Sequence, residues 1–130
     1  MSFRLRIPEE EVFGFGKYVN AASKAECVEF VHQATDVPQM RPWERGVNVG
    51  VAKPGDILRG TVIATFDETG RYPIDRLGTH VAVYLSHDAL HIRVLDQWPA
   101  QGEVRERPIY FKRPADTYRS NDAHTYYVVE

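Results

Sequence analysis

A chain of 130 residues with 43% apolar and 26% charged side chains is sized for one domain spanning 1–130, and it has neither the polarity of a disordered segment nor an apolar run near the roughly 18 residues a membrane span needs. A formal charge of -2 and a pI near 6.2, with arginines scattered among carboxylates, leave no basic field for a phosphate backbone, so nucleic acid is a poor candidate partner. The single cysteine, Cys27, cannot form an internal disulfide; five histidines without an HExxH pattern or a second cysteine argue against a zinc site, and no cofactor is expected.

The N-terminal MSFRLRIPEEEVF lacks the apolar core and cleavage site of a Sec-type signal, so the expectation is a protein made and folded in the cytoplasm. Phe3, Leu5 and Ile7 alternate as in a short strand, and 14-GFGKY-18 reads as a glycine-punctuated turn. One convincing helix follows. Ser23 and Glu26 have the spacing of a capping box, Cys27, Phe30, Val31 and Ala34 fall on one face, and Asp36 and Pro38 end the pattern. The stretch from 38 to 60, rich in proline and glycine, reads as a long ordered connection with a helical turn near Trp43.

Beyond it the chain turns to β. The runs 61-TVIATF-66, 80-HVAVYL-85 and 91-HIRVLDQW-98 are rich in β-branched residues, and 103-EVRERPIYF-111 and 125-TYYVV-129 continue the series. Helix first and antiparallel strands after is an α+β pattern.

Five residues, SHDAL, separate the strands at 80 to 85 and 91 to 96, which predicts a hairpin centred near Asp88. If Leu85 faces His91, then Tyr84 faces Ile92, Ala82 faces Val94 and His80 faces Asp96. His80 and Asp96 are then cross-strand neighbours, a base and a carboxylate to orient it; a shift of two residues would leave them diagonal, still within reach. Cys27 joins them if its helix packs on that face. A cysteine in a first helical turn feels unpaired N–H groups and the helix dipole, both of which lower a thiol pKa, and the same N–H groups can receive an oxyanion. Against this stands the core reading of a lone cysteine on an apolar helix face, which is the commoner fate of each residue taken singly. The joint occurrence of Cys27, His80 and Asp96 favours nucleophilic catalysis on an amide.

A cysteine opening the first main helix, the strand 78-GTHVAVYL-85 and the acidic residue in 94-VLDQW-98 together resemble the CHAP and NlpC-like cysteine peptidases of the papain-like fold. Within that superfamily the chain is most similar to small bacterial amidases that degrade the cell wall, including effectors delivered by type VI secretion. The similarity runs from Ala21 to Trp98 and includes 42-PWERG-46 and 53-KPGDI-57. It implies a papain-like domain with its cysteine helix packed on an antiparallel sheet. It implies Cys27 as nucleophile, His80 as base and then acid, and Asp96 as the group orienting the imidazole, with Gln97 the alternative third member. The substrate implied is the peptide stem of peptidoglycan, cut through an acyl-enzyme; the partners implied are a cognate immunity protein and a secretion machine that carries the protein to the periplasm of a target cell. Tyr18 and Trp43 are candidate cleft residues, each with a structural alternative. His87, His91 and His32 read as solvent-facing. Two other readings stay open: a papain-like binding module without catalysis, and a thiol hydrolase acting on a different amide.

Overall fold

In the computed structural model, which describes residues 2–39, 43–75, 77–114 and 117–130, the β-rich half of the chain forms a single antiparallel sheet of six strands. These are β1 Arg45–Asn48, β2 Val62–Thr65, β3 Val81–His87, β4 His91–Asp96, β5 Arg105–Tyr110 and β6 Tyr126–Val129, ordered β1-β6-β2-β3-β4-β5. Two helices precede them, α1 Glu9–Phe15 and α2 Cys27–Ala34. No helix among the described residues is long and apolar enough to cross a membrane.

The alternation of the strands divides the core in two. Val62, Ala64, Val81, Val83 and Leu95 face Phe30, Val31 and Ala34 of α2, whereas Ile63, Ala82, Tyr84, Ile92 and Val94 pack on the opposite side with Val49, Ile57 and Tyr126. Phe30 and Val31 are fully buried, and each such side chain contributes about 1.5–3 kcal/mol to holding α2 on β3.

Several expectations need correction. The segment from 9 to 15 is helical, with Gly14 inside the helix; Pro8 just before it and Glu9, Glu10 and Glu11 in its first turn suit the positive end of the helix dipole, and the turn falls at Gly16. Ser23 does not cap α2. Asn20 intercepts the chain first: its Oδ1 accepts from Ala22 N at 2.9 Å and Lys24 N at 3.1 Å, and Ser23 takes a φ of 61° in the resulting turn. The helix therefore starts at Cys27, with extended Glu26 as its cap.

Within the connection, Arg45–Asn48 is a strand that pairs with β6. The helical turn expected near Trp43 falls in part on 40–42, outside the described residues. Residues 3–7 form only isolated bridges, Arg4 with Thr61 and Leu5 with Thr35.

The β3–β4 hairpin also differs from the expectation. Val83 pairs with Leu95 and Tyr84 with Val94, which is the two-residue shift, and an irregularity between Tyr84 and Ser86 inserts one extra residue in β3. The extra residue reverses the facing of the strand beyond it. His87 therefore points to the same side as Tyr84 instead of into solvent: it is buried, its Nε2–H donates to the Ala52 carbonyl at 2.8 Å, and its Nδ1 accepts from the Tyr84 hydroxyl at 2.6 Å. His91, half-buried against the Tyr110 ring, and His32, edge-on to Trp43, are likewise less exposed than expected.

Candidate active site

Because α2 begins at Cys27, the thiol stands at the helix N-terminus, where the first backbone N–H groups have no intrahelical acceptor. The helix packs on β3, and His80 is the residue that leads into that strand, fixed by Thr65 N donating to its carbonyl at 3.0 Å and by its own N–H donating to Thr65 Oγ1 at 3.0 Å. Two residues earlier, Gly78 turns the chain with a φ of 96°; a Cβ there would come within 2.7 Å of the backbone nitrogens of Arg119 and Ser120.

The His80 ring is buried between two partners. Its Nε2–H donates to Asp96 Oδ2 at 2.8 Å, and its side chain is hydrogen-bonded to Cys27, for which Nδ1 is the nitrogen that remains. The two-residue shift leaves His80 diagonal to Asp96 across the hairpin, and the imidazole, bonding through its far nitrogen Nε2, closes the gap. Trp98 stands edge-on to the imidazole at 6.0 Å between ring centres.

Asp96 is fully buried and holds a second cation: Arg107 Nε donates to the same Oδ2 at 2.7 Å, while its guanidinium lies 4.9 Å over the Trp98 ring. Sequence reasoning did not single out Arg107, and only the β4–β5 pairing, which sets Val94 opposite Arg107, brings it to the carboxylate.

Gln97, the alternative to Asp96, is occupied elsewhere. Its Nε2 donates to the carbonyls of Tyr18 at 2.6 Å and Glu26 at 2.8 Å, and its Oε1 accepts from Tyr18 N at 3.1 Å. It thus ties the end of β4 to the segment before α2 and to the residue adjoining Cys27.

The electrostatics favour separated charge. Burial pushes the Cys27 thiol up, but the His80 hydrogen bond and charge, together with the Val81 N–H, outweigh it and leave the thiol pKa below its ordinary value. Burial would lower His80, yet its hydrogen bonds to Asp96 and Cys27 and their charges raise it to about 9. Both displacements stabilise a thiolate–imidazolium pair.

Cys27 opens onto a cleft of about 1070 Å³ walled by Trp43, Tyr72, Ile74 and Thr79. Of the two aromatic candidates, Trp43 lines this cleft; Tyr18 does not, because its ring is buried in the core against Phe30 at 5.2 Å between ring centres. Tyr72 is the cleft aromatic that sequence reasoning missed. It lies 45 residues after Cys27 in a loop with no motif, and only the fold sets it beside the thiol.

A helix carrying an N-terminal cysteine, packed on an antiparallel sheet whose strands bring a histidine and a buried carboxylate to that cysteine, is the papain-like α+β arrangement. The chain belongs to the family described as Domesticated amidase effector 2, which matches residues 6–129. It is 38% identical over 115 residues to the Type VI secretion amidase effector 2 protein of Salmonella typhi, covering 81% of this chain and 84% of that protein. A solved structure titled Type 6 secretion amidase effector 2 superposes with a TM-score of 0.75 at 32% identity, covering 92% of this chain and 91% of the other.

Proposed function

We propose that this protein is a cysteine amidase that hydrolyses an amide in the peptide part of bacterial peptidoglycan, with Cys27 as nucleophile, His80 as general base and acid, and Asp96 as the residue that orients the imidazole. The observation that carries this reading is the continuous chain of contacts from Cys27 through His80 to buried Asp96 at the floor of an open cleft, in a family named for amidase effectors.

The steps follow from that chain. The Cys27 thiolate attacks the amide carbon, forming an S–C bond as the carbonyl π electrons move to oxygen. When the tetrahedral intermediate collapses, the C–N bond breaks and the His80 imidazolium delivers its proton to the departing nitrogen, leaving a thioester and neutral imidazole. His80 then takes a proton from a water that attacks the thioester carbon; the C–S bond breaks, and a carboxylic acid and the thiolate–imidazolium pair result. Throughout, Asp96 accepts the Nε2–H and so keeps Nδ1 aimed at sulfur.

The relatives are named type VI secretion amidase effectors, which supports delivery by that route; the reading adds a target cell whose peptidoglycan the protein reaches and a cognate immunity protein that protects the producer. The test is digestion of purified sacculi followed by mass spectrometry of the released muropeptides. Wild-type protein should release new peptide ends, and Cys27→Ala and His80→Ala should release none; Cys27→Ala should keep its thermal transition close to wild type, whereas His80→Ala, which strips buried Asp96 of a hydrogen bond, should remain folded with a lower transition. Cleavage that survives in Cys27→Ala would refute the mechanism, and a wild type that binds sacculi without cutting them would refute the activity.

A further inference from the structure

The mechanism leaves the amide oxygen without a side-chain donor, and the cleft holds one. Tyr72 lines the same cleft as Cys27, and its side chain is hydrogen-bonded to the Cys27 side chain. We infer that Tyr72 is a further catalytic residue of the amidase reading: its phenol O–H and the backbone N–H of Cys27 together receive the oxyanion that forms as the thiolate attacks.

The position suits the task. A donor in contact with sulfur is one bond removed from the carbon that sulfur attacks, and so close to the oxygen that carbon carries. The second donor comes from the helix, because the N–H of Cys27 is the first of α2 and has no intrahelical acceptor.

The phenol is also rigidly held, as a preorganised donor must be. The Tyr72 ring meets Trp43 edge-on at 4.9 Å and Phe66 at 6.5 Å between centres. The loop that carries it is pinned on both sides. Asp67 Oδ1 accepts from Thr69 N at 2.9 Å, Thr69 Oγ1 at 2.5 Å and Arg71 N at 3.1 Å; beyond Tyr72, Arg119 forms a two-pronged pair with Asp75 at 2.7 and 3.0 Å.

Burial and the neighbouring Cys27 charge hold the phenol far above its ordinary pKa, so it keeps its proton and donates a hydrogen bond without transferring it. Tyr18, the tyrosine nearer to Cys27 in sequence, is in the core and does not reach the cleft.

Tyr72→Phe preserves the ring and its packing and deletes only the hydroxyl. Steady-state cleavage of soluble muropeptides should show kcat reduced by about 10²–10³-fold with KM within about threefold of wild type, since the interaction strengthens only as charge develops on oxygen. Alkylation of Cys27 by iodoacetamide at pH 6 should stay within about threefold of wild type, because His80 and the Val81 N–H hold the thiolate. That measurement also reports whether the site is folded. Incorporation of 3,5-difluorotyrosine at position 72, a more acidic donor of nearly the same shape, should retain kcat. A wild type that cuts while Tyr72→Phe cuts within threefold overturns this assignment alone. A kcat loss matched by an equal loss of alkylation rate overturns it in favour of a thiolate-stabilising role, and a wild type that cuts nothing overturns the amidase reading and this assignment with it.

Discussion

Replacing Asp96 by asparagine keeps the shape of the side chain and removes its charge, and the structure sets the size and direction of the consequence. His80 is raised from 6.5 to about 9, which corresponds to roughly 3 kcal/mol of preferential stabilisation of the imidazolium. Asp96 and Cys27 share that stabilisation, the Asp96 hydrogen bond being the largest raising influence. Removing the carboxylate charge has a second effect in the same direction. Arg107, which donates to Asp96 Oδ2 at 2.7 Å, loses its counter-charge and is left as an unneutralised cation near the imidazole.

His80 should then deprotonate roughly one to two pH units lower. The active pair requires thiolate and imidazolium together, so wild-type kcat/KM should rise as pH passes the lowered thiol value and fall only near pH 9. In Asp96→Asn the alkaline fall should move to about pH 7–8, with activity at the optimum reduced by about 10²–10⁴-fold. Muropeptide cleavage across pH 5–10 measures both quantities, and the pH dependence of iodoacetamide labelling reads the pair without turnover. An alkaline limb that stays near pH 9 in the variant would refute the role given to Asp96.

Two further outcomes separate site from scaffold. Gln97→Ala leaves the Tyr18 and Glu26 backbone groups short of a partner inside the protein, at about 1–3 kcal/mol each, so the denaturant midpoint should fall clearly; an unchanged midpoint would show that water replaces the amide. His87→Ala breaks the buried link from Tyr84 through His87 to the Ala52 carbonyl and should cost about 1–3 kcal/mol in chemical denaturation while leaving kcat at 25 °C unchanged, whereas a loss of kcat in folded protein would place this second histidine in the chemistry.

Much of the architecture was legible because it depends on local rules. Alternating β-branched runs marked five of the six strands, and the apolar face of Phe30, Val31 and Ala34 marked α2, since periodicity follows from backbone geometry alone. Helix ends were less legible. Asn20 folds the preceding segment into a turn that gives Ser23 a positive φ and takes it away from the helix start, and the start of α1 is marked only by Pro8 and three glutamates.

The sequence by itself determined which residue types were available for the site, one thiol, few histidines and a carboxylate in the strand beyond, because their order along the chain and the short hairpin loop limit what can meet. Tertiary structure decided how they meet. The hairpin slipped by two residues and gained an extra one near Leu85, a choice made by packing both sheet faces at once, and it left His80 diagonal to Asp96 while turning His87 inward. It also decided that Tyr72 and not Tyr18 stands at the thiol, that Gln97 braces the helix entrance, and that Arg107 shares the buried carboxylate. These contacts join segments tens of residues apart. No local pattern encodes them, because they exist only once burial of the two apolar cores has brought β4, β5, α2 and the loop from 67 to 75 together.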